Sequence, residues 1–109
     1  MEPVEINAGA WYLRALRADD RIDDRPALAE LHETDEAYVA RRAADWASDA
    51  AYSWAVCEPS TGELLAEVLL EPGCAALRVW ARAGHDAAAA AAADSIRRFA
   101  MAALGIDAT

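Results

Sequence analysis

The chain has no lysine: all ten of its basic residues are arginine, set against 19 acidic residues for a net charge of −9. So little positive charge speaks against a nucleic-acid surface, because a phosphate backbone has to be neutralised by a basic face. It favours a protein kept in solution by its own charge, or one that meets a basic partner. The absence of lysine beside 30 alanines reads as a GC-rich coding bias rather than a function. Cysteine is scarce as well. Cys57 and Cys74 lie 17 positions apart, which matches neither the paired ligands of a zinc site nor the framework of a secreted disulfide fold. No apolar run approaches the roughly 20 residues of a membrane helix, since the alanine block at 87–93 is closed off by Asp86 and Asp94. Residues 1–10 carry neither the basic start nor the apolar core of a signal peptide. A cytoplasmic protein with no nucleic-acid and no membrane partner is the expectation.

What is present is 56% hydrophobic by count, a figure inflated by alanines that each bury little. Residues 1–109 suffice for one domain with a modest core, so Trp11, Trp46, Trp54 and Trp80 are expected to carry much of the burial. The seven alanines at 87–93 have the best helix propensity of any residue and lengthen a helix rather than form a low-complexity tail.

Residues 11–16 read as a first strand, rich in aromatic and aliphatic side chains. Pro26 suits a first helical position after Asp24-Arg25, giving a helix to about His32 with Leu28 and Leu31 inward. Thr34-Asp35 caps a second helix through Ser48, with Val39, Ala43 and Trp46 at helical spacing. The turn Pro59-Ser60-Thr61-Gly62 separates strands at 52–58 and 63–70, and Pro72-Gly73 precedes a strand at 75–81. A last helix at 86–104 places Ala89, Ala92, Ala93, Ile96, Phe99, Ala100 and Ala103 on its inner face, with Asp94, Ser95, Arg97 and Arg98 outside. The acidic run at 19–36 (Asp19, Asp20, Asp23, Asp24, Glu30, Glu33, Asp35, Glu36, interleaved with Arg21 and Arg25) reads as a solvated helical face. The fold class is α+β: a mixed, mostly antiparallel sheet of about four strands, with two N-terminal helices and one long C-terminal helix packed on it.

Four segments carry a family resemblance: Tyr12-Leu13-Arg14-Ala15-Leu16-Arg17, Tyr52-Ser53-Trp54-Ala55-Val56, Gly62-Glu63-Leu64-Leu65-Ala66-Glu67-Val68, and Arg98-Phe99-Ala100-Met101-Ala102-Ala103-Leu104-Gly105-Ile106. Together they resemble the GCN5-related N-acetyltransferases, in particular the branch that acetylates ribosomal-protein N-termini. The resemblance implies a partial version of that fold. In the family, the strand before the last helix opens into an Arg/Gln-x-x-Gly-x-Gly/Ala loop, whose backbone N–H groups hold the acetyl-CoA pyrophosphate. Aligned on Arg98-Phe99-Ala100, the two glycine places fall at His85 and Ala87, and the loop is shortened. Gly84 remains to turn with positive φ near a phosphate. Asp86 is expected to cap the helix and take up its free N–H groups, in competition with a pyrophosphate. The resemblance makes Val79, Trp80, Ala81, Arg82, Gly84 and His85 the residues that would meet acetyl-CoA, in a segment that by itself reads as a plain turn and cap. It also implies that the helical region at 19–36 shapes an acceptor site, where its acidity would suit a cationic amine.

Acetyl transfer from a thioester to an amine needs a base for the amine proton and an acid for the departing thiolate. Glu67, on the strand that resembles the family's Gly-Glu-hydrophobic segment, is the candidate catalytic base, against its reading as a solvent-facing strand carboxylate. The family's acid, often a tyrosine beyond the helix, has no matching position. Tyr38 and Tyr52 read as packing residues with wet hydroxyls. His32-Glu33 with Glu36 has the look of a helical metal site, but the cap between them breaks the single face that ligands need, and no metal is expected. His32 and His85 assemble no nucleophile arrangement. Cys57 reads as a small buried hydrophobe and Cys74, in a turn, as an exposed thiol.

The family also continues past this helix into strands that form the other wall of its cleft, whereas Asp107-Ala108-Thr109 is too short for a strand. Leu77, Arg78, Val79 and Trp80 are therefore expected at a sheet edge, and an edge invites pairing with another chain. A homodimer or a protein partner near Arg78 and Trp80 follows, unless Arg78 guards the edge by its charge. Two functional readings result. In one, the chain is a degenerate, non-catalytic binding or assembly module that requires no cofactor. In the other, it is an acetyl-CoA-dependent N-acyltransferase whose cleft is completed in a dimer.

Overall fold

In the computed structural model, which describes residues 1–31 and 33–109, the first reversal comes at Gly9, whose φ of +63° lies in the left-handed region glycine adopts without cost. It joins β1 (Ile6–Ala8) to β2 (Trp11–Arg14) as a hairpin. β1 is an addition to the strands legible in the sequence, being three residues long with no aromatic side chain to announce it. There follow α1 (Arg25–Glu30), α2 (Tyr38–Ser48), β3 (Tyr52–Cys57), β4 (Leu64–Glu71), β5 (Ala76–Ala81) and α3 (Asp86–Phe99), which widens into a π-helical turn at Ala100–Leu104. Among the described residues the sheet has five strands in the order β1-β2-β3-β4-β5, every pair antiparallel, so it is not mixed. β5 forms one edge, as the sequence implies.

The sheet is covered on both faces, which is why β4 reads as an almost continuous apolar run, Leu-Leu-Ala-Glu-Val-Leu-Leu. On one face α3 sets Ala88, Ala89, Ala92 and Ile96 against Leu13, Trp54, Val56, Ala66, Val68 and Leu70. Alanine at the contact lets a helix lie close to a sheet, so the alanine block is core rather than filler. On the other face α1 and α2 set Leu28, Leu31 and Tyr38 over Leu16, Ala55, Cys57 and Leu64. Two tryptophans, not four, carry the aromatic burial: Trp46 and Trp54 are fully enclosed and meet edge-to-face at 5.1 Å. Trp11 and Trp80 are half-buried.

α3 buries the expected Ala89, Ala92, Ala93, Ile96 and Ala100, whereas α2 rotates its expected stripe, keeping Trp46 and a half-buried Val39 at the core but turning Ala43 out. α2 buries Tyr38 and Trp46 with Arg42 half-buried between them, while Ala43 is exposed. Tyr38, Arg42 and Trp46 are four residues apart in turn and form one stripe; the stripe with Val39 and Ala43 lies about 100° away. α3 buries Ser95 as well as its alanines, and Ala103 is exposed because the π-helical turn inserts an extra residue and shifts the phase. Asp86 is the first helical residue rather than the cap; His85 takes the cap position, with no side-chain hydrogen bond. Nor is 19–24 helical: Asp19 accepts the backbone N–H groups of Arg21 and Ile22 in a tight turn. Asp24, far from solvated, is 2% exposed.

Candidate functional site

Glu67 lies on β4 directly opposite Trp80 on β5, with its side chain on the face that α2 covers. It is only 2% exposed, so the solvent-facing reading is wrong. The Tyr38 hydroxyl, from the first turn of α2, donates to Glu67 Oε2 at 2.7 Å. Tyr38 is therefore no packing residue with a wet hydroxyl; the Tyr52 hydroxyl is likewise committed, donating to Asp49 Oδ1 at 2.9 Å. The Arg42 guanidinium sits 4.9 Å from the centre of the Tyr38 ring and pairs with Asp45 at 3.0 Å. Leu31, Glu33, Tyr38, Arg42, Glu67 and Trp80 enclose a cleft of about 260 Å³.

Burial pushes the Glu67 carboxyl above its ordinary value, against the pull of the Tyr38 hydrogen bond and the Arg42 charge, and Glu33 adds to the rise. Burial also raises the Tyr38 phenol, and its bond to Glu67 raises it further, so it stays a neutral donor. Chemically, the pair is a proton acceptor more basic than a surface carboxylate and a hydroxyl that orients it. It is also a desolvated negative charge open to a cation.

The segment that follows β5 is built differently from a phosphate cradle. The Arg82 backbone N–H donates to Leu65 O at 2.9 Å, prolonging the ladder with β4, and the His85 N–H closes a tight turn onto Arg82 O at 3.0 Å. Gly84 supplies the positive φ of that turn, +84°, but a Cβ placed there would meet no atom within 4 Å. Its role is the backbone sign and not a close approach. The Arg82 side chain turns toward α1 and pairs with both Glu30 and Glu63 at 2.6 Å. Its Nη1 also donates to Leu64 O. The charged residues lining the adjoining hollow of about 310 Å³ are Asp23, Asp24, Glu30 and Glu63 with Arg21 and Arg82. Val79 and Ala81 pair in register with Val68 and Ala66, and Trp80 belongs to the Glu67 cleft rather than to the loop. Arg82 is thus engaged by two carboxylates, one loop N–H is committed to the turn, and Asp86 stands in the first turn of α3.

Sequence reasoning missed two arginines. Arg42 could have been found from its position four residues after Tyr38, a spacing at which helix side chains meet. Arg14, on β2, is buried and grips Asp24 with two bonds of 2.8 and 2.9 Å, and it reaches Gly62 O at 3.0 Å. Asp24 also accepts the Arg17 N–H at 2.6 Å. That pair is a structural pin, and one member of it comes from the run expected to be solvated. Among the described residues no three histidine, cysteine or acidic side chains gather as a metal site. His32, one member of the motif weighed with Glu33 and Glu36, lies outside the described residues. Cys57 is buried and Cys74 exposed, as expected. Among the described residues no helix is long and apolar enough to cross a membrane.

No protein-family model and no curated protein matches this chain. Its fold is similar to that of a solved structure from Vibrio cholerae described as a candidate ribosomal-protein-serine acetyltransferase, with a TM-score of 0.75 and 16% identity. The match covers 94% of this chain and 70% of the other. At that identity the likeness speaks to architecture alone: the chain has an acetyltransferase-like α+β fold.

Proposed function

We propose that this acetyltransferase-like domain does not transfer acetyl groups and acts as a binding or assembly module, engaging another chain through the β5 edge near Arg78 and Trp80. It requires no cofactor. The observation that carries this reading is the state of Arg82, held by both Glu30 and Glu63. The two free thiols suit the reducing cytoplasm, where we place the protein. Isothermal titration with acetyl-CoA, using adenosine 3′,5′-bisphosphate as competitor, tests it. The expected result is no saturable binding, or binding weaker than about 1 mM. Micromolar binding displaced by the competitor overturns the reading.

One observation favours the alternative, N-acyl transfer to an amine with the cleft completed by a second copy of the chain: Glu67 is buried, basic for a carboxylate and oriented by Tyr38. Micromolar acetyl-CoA affinity together with a dimer in sedimentation would turn the assignment to that reading.

A further inference from the structure

We infer that α1 is a hinged flap over the sheet: its start is fixed at Asp24, its far end is latched by Glu30 on Arg82, and releasing the latch uncovers an apolar bed that runs into the Glu67 cleft. The device needs no residue from another chain.

The two ends of α1 are held unequally. Asp24, the residue before the helix, gives its carboxylate to Arg14, and neither side chain is more than 5% exposed. Breaking that pair would strand a buried charge, so this end stays down. Glu30, the last helical residue, pairs with Arg82 at 2.6 Å but is 58% exposed, and such a pair is weak and screened by salt. Release leaves Arg82 satisfied, because Glu63 at 2.6 Å and Leu64 O still hold it.

Between its ends α1 rests lightly on the sheet, with Leu28 as its one buried residue. A hollow of about 310 Å³ opens beside Pro26, Ala27 and Glu30, and another of about 370 Å³ beside Pro26, Leu28 and Ala29, so the helix is not packed tightly on either flank. Beneath it lie Leu16, Ala55, Cys57 and Leu64. Leu31, which follows the helix, packs on this bed and is also a wall of the Glu67 cleft. A short element with one firm anchor and one weak one is the kind of segment that opens locally while the rest stays folded. Lifting it draws Leu31 from the wall and opens a way to Glu67, which is 2% exposed while the flap is down.

Amide hydrogen exchange of the whole chain, read by NMR, is the test, because a six-residue helix lifted off the sheet is too short to keep its own hydrogen bonds. The Leu28 and Leu31 amides, which donate to Asp24 O and Leu28 O, should exchange faster than those of the β3–β4 ladder, while the Arg17 and Asp24 amides stay with the ladder. Glu30→Gln should speed Leu28 and Leu31 by a further factor of about three and leave the ladder unchanged. Salt at about 0.5 M should move the parent protein toward that variant and the variant itself little. Glu63→Gln, which keeps the latch, should not speed the flap. Exchange of Leu28 and Leu31 at the rate of the ladder, an equal acceleration of flap and ladder in Glu30→Gln, or no acceleration at all overturns the inference, and so does a flap sped equally by Glu63→Gln.

Discussion

Tyr38 and Glu67, 29 residues apart in the chain, share a buried hydrogen bond of 2.7 Å that ties the start of α2 to the middle of β4. Each side chain excludes the other from water, and each would be costly to bury alone. Tyr38→Phe should therefore lower stability by about 1–3 kcal/mol, the range for leaving a buried acceptor without its donor. Urea denaturation of the two proteins at neutral pH measures it; an unchanged midpoint would mean the bond contributes nothing.

The raised Glu67 carboxyl also fixes a sign with pH. Its folded value lies above the ordinary 4.5, so the folded state holds this proton more tightly than the unfolded chain does. The stability that proton brings is complete below the ordinary value and is lost as pH rises through the folded one. Glu67→Gln, which is neutral throughout, should match the parent protein in acid and become the more stable of the two as pH rises. Denaturant midpoints of both proteins across that range give the difference directly, and a constant difference would contradict the assignment.

Asp24→Asn should be among the most damaging single changes. It leaves the Arg14 guanidinium, side chain 5% exposed, buried without its countercharge. The expected loss is about 3–5 kcal/mol. Replacing both residues with apolar ones of similar volume should cost much less than the sum of the single changes, which a double-mutant cycle in guanidinium chloride will show.

Gly84→Ala should cost about 1–2 kcal/mol from backbone conformation alone, because φ is +84° while the space for a methyl group is open. Gly73→Ala, where the backbone is not left-handed and the space is equally open, is the matched control and should be near neutral. Calorimetric melting of both variants separates strain from crowding.

Cys74 is exposed, whereas burial pushes the Cys57 thiol up to about 11. Iodoacetamide at neutral pH should alkylate Cys74 in the native protein and spare Cys57 until urea is added. Peptide mass spectrometry reads both sites, and native labelling of Cys57 would place it nearer solvent than described.

The layered plan was legible because it rests on turn residues and apolar runs: Pro59 to Gly62 between β3 and β4, Pro72-Gly73 before β5, and the alanine block in α3. The site was only half legible. Glu67 drew notice through the family resemblance of its strand, but its partners come from the polar side of α2. A reading that sends apolar residues inward assigns to the core both Val39, which does pack against it, and Ala43, which is exposed, and so hides Tyr38 and Arg42 as partners. Asp24 was lost in the acidic run for the same reason, since charge density says nothing about which carboxylate an arginine on a distant strand will draw in. The shift of phase past Ala100 has no local signal in a stretch of alanines that fit either helix equally well.

Arg14 touches Asp24 at the head of α1 and the Gly62 carbonyl in the turn between β3 and β4, while Asp24 accepts the Arg17 amide. Three stretches of chain that would otherwise fray separately are thereby joined through one guanidinium–carboxylate pair. The loop from Asp19 to Asp24 cannot lift away without exposing that pair, so its local opening is coupled to loss of the α1 face as a whole. In hydrogen exchange the Arg17 and Asp24 amides should accordingly be protected together with the β2–β3 ladder, although they sit in the most acidic part of the sequence.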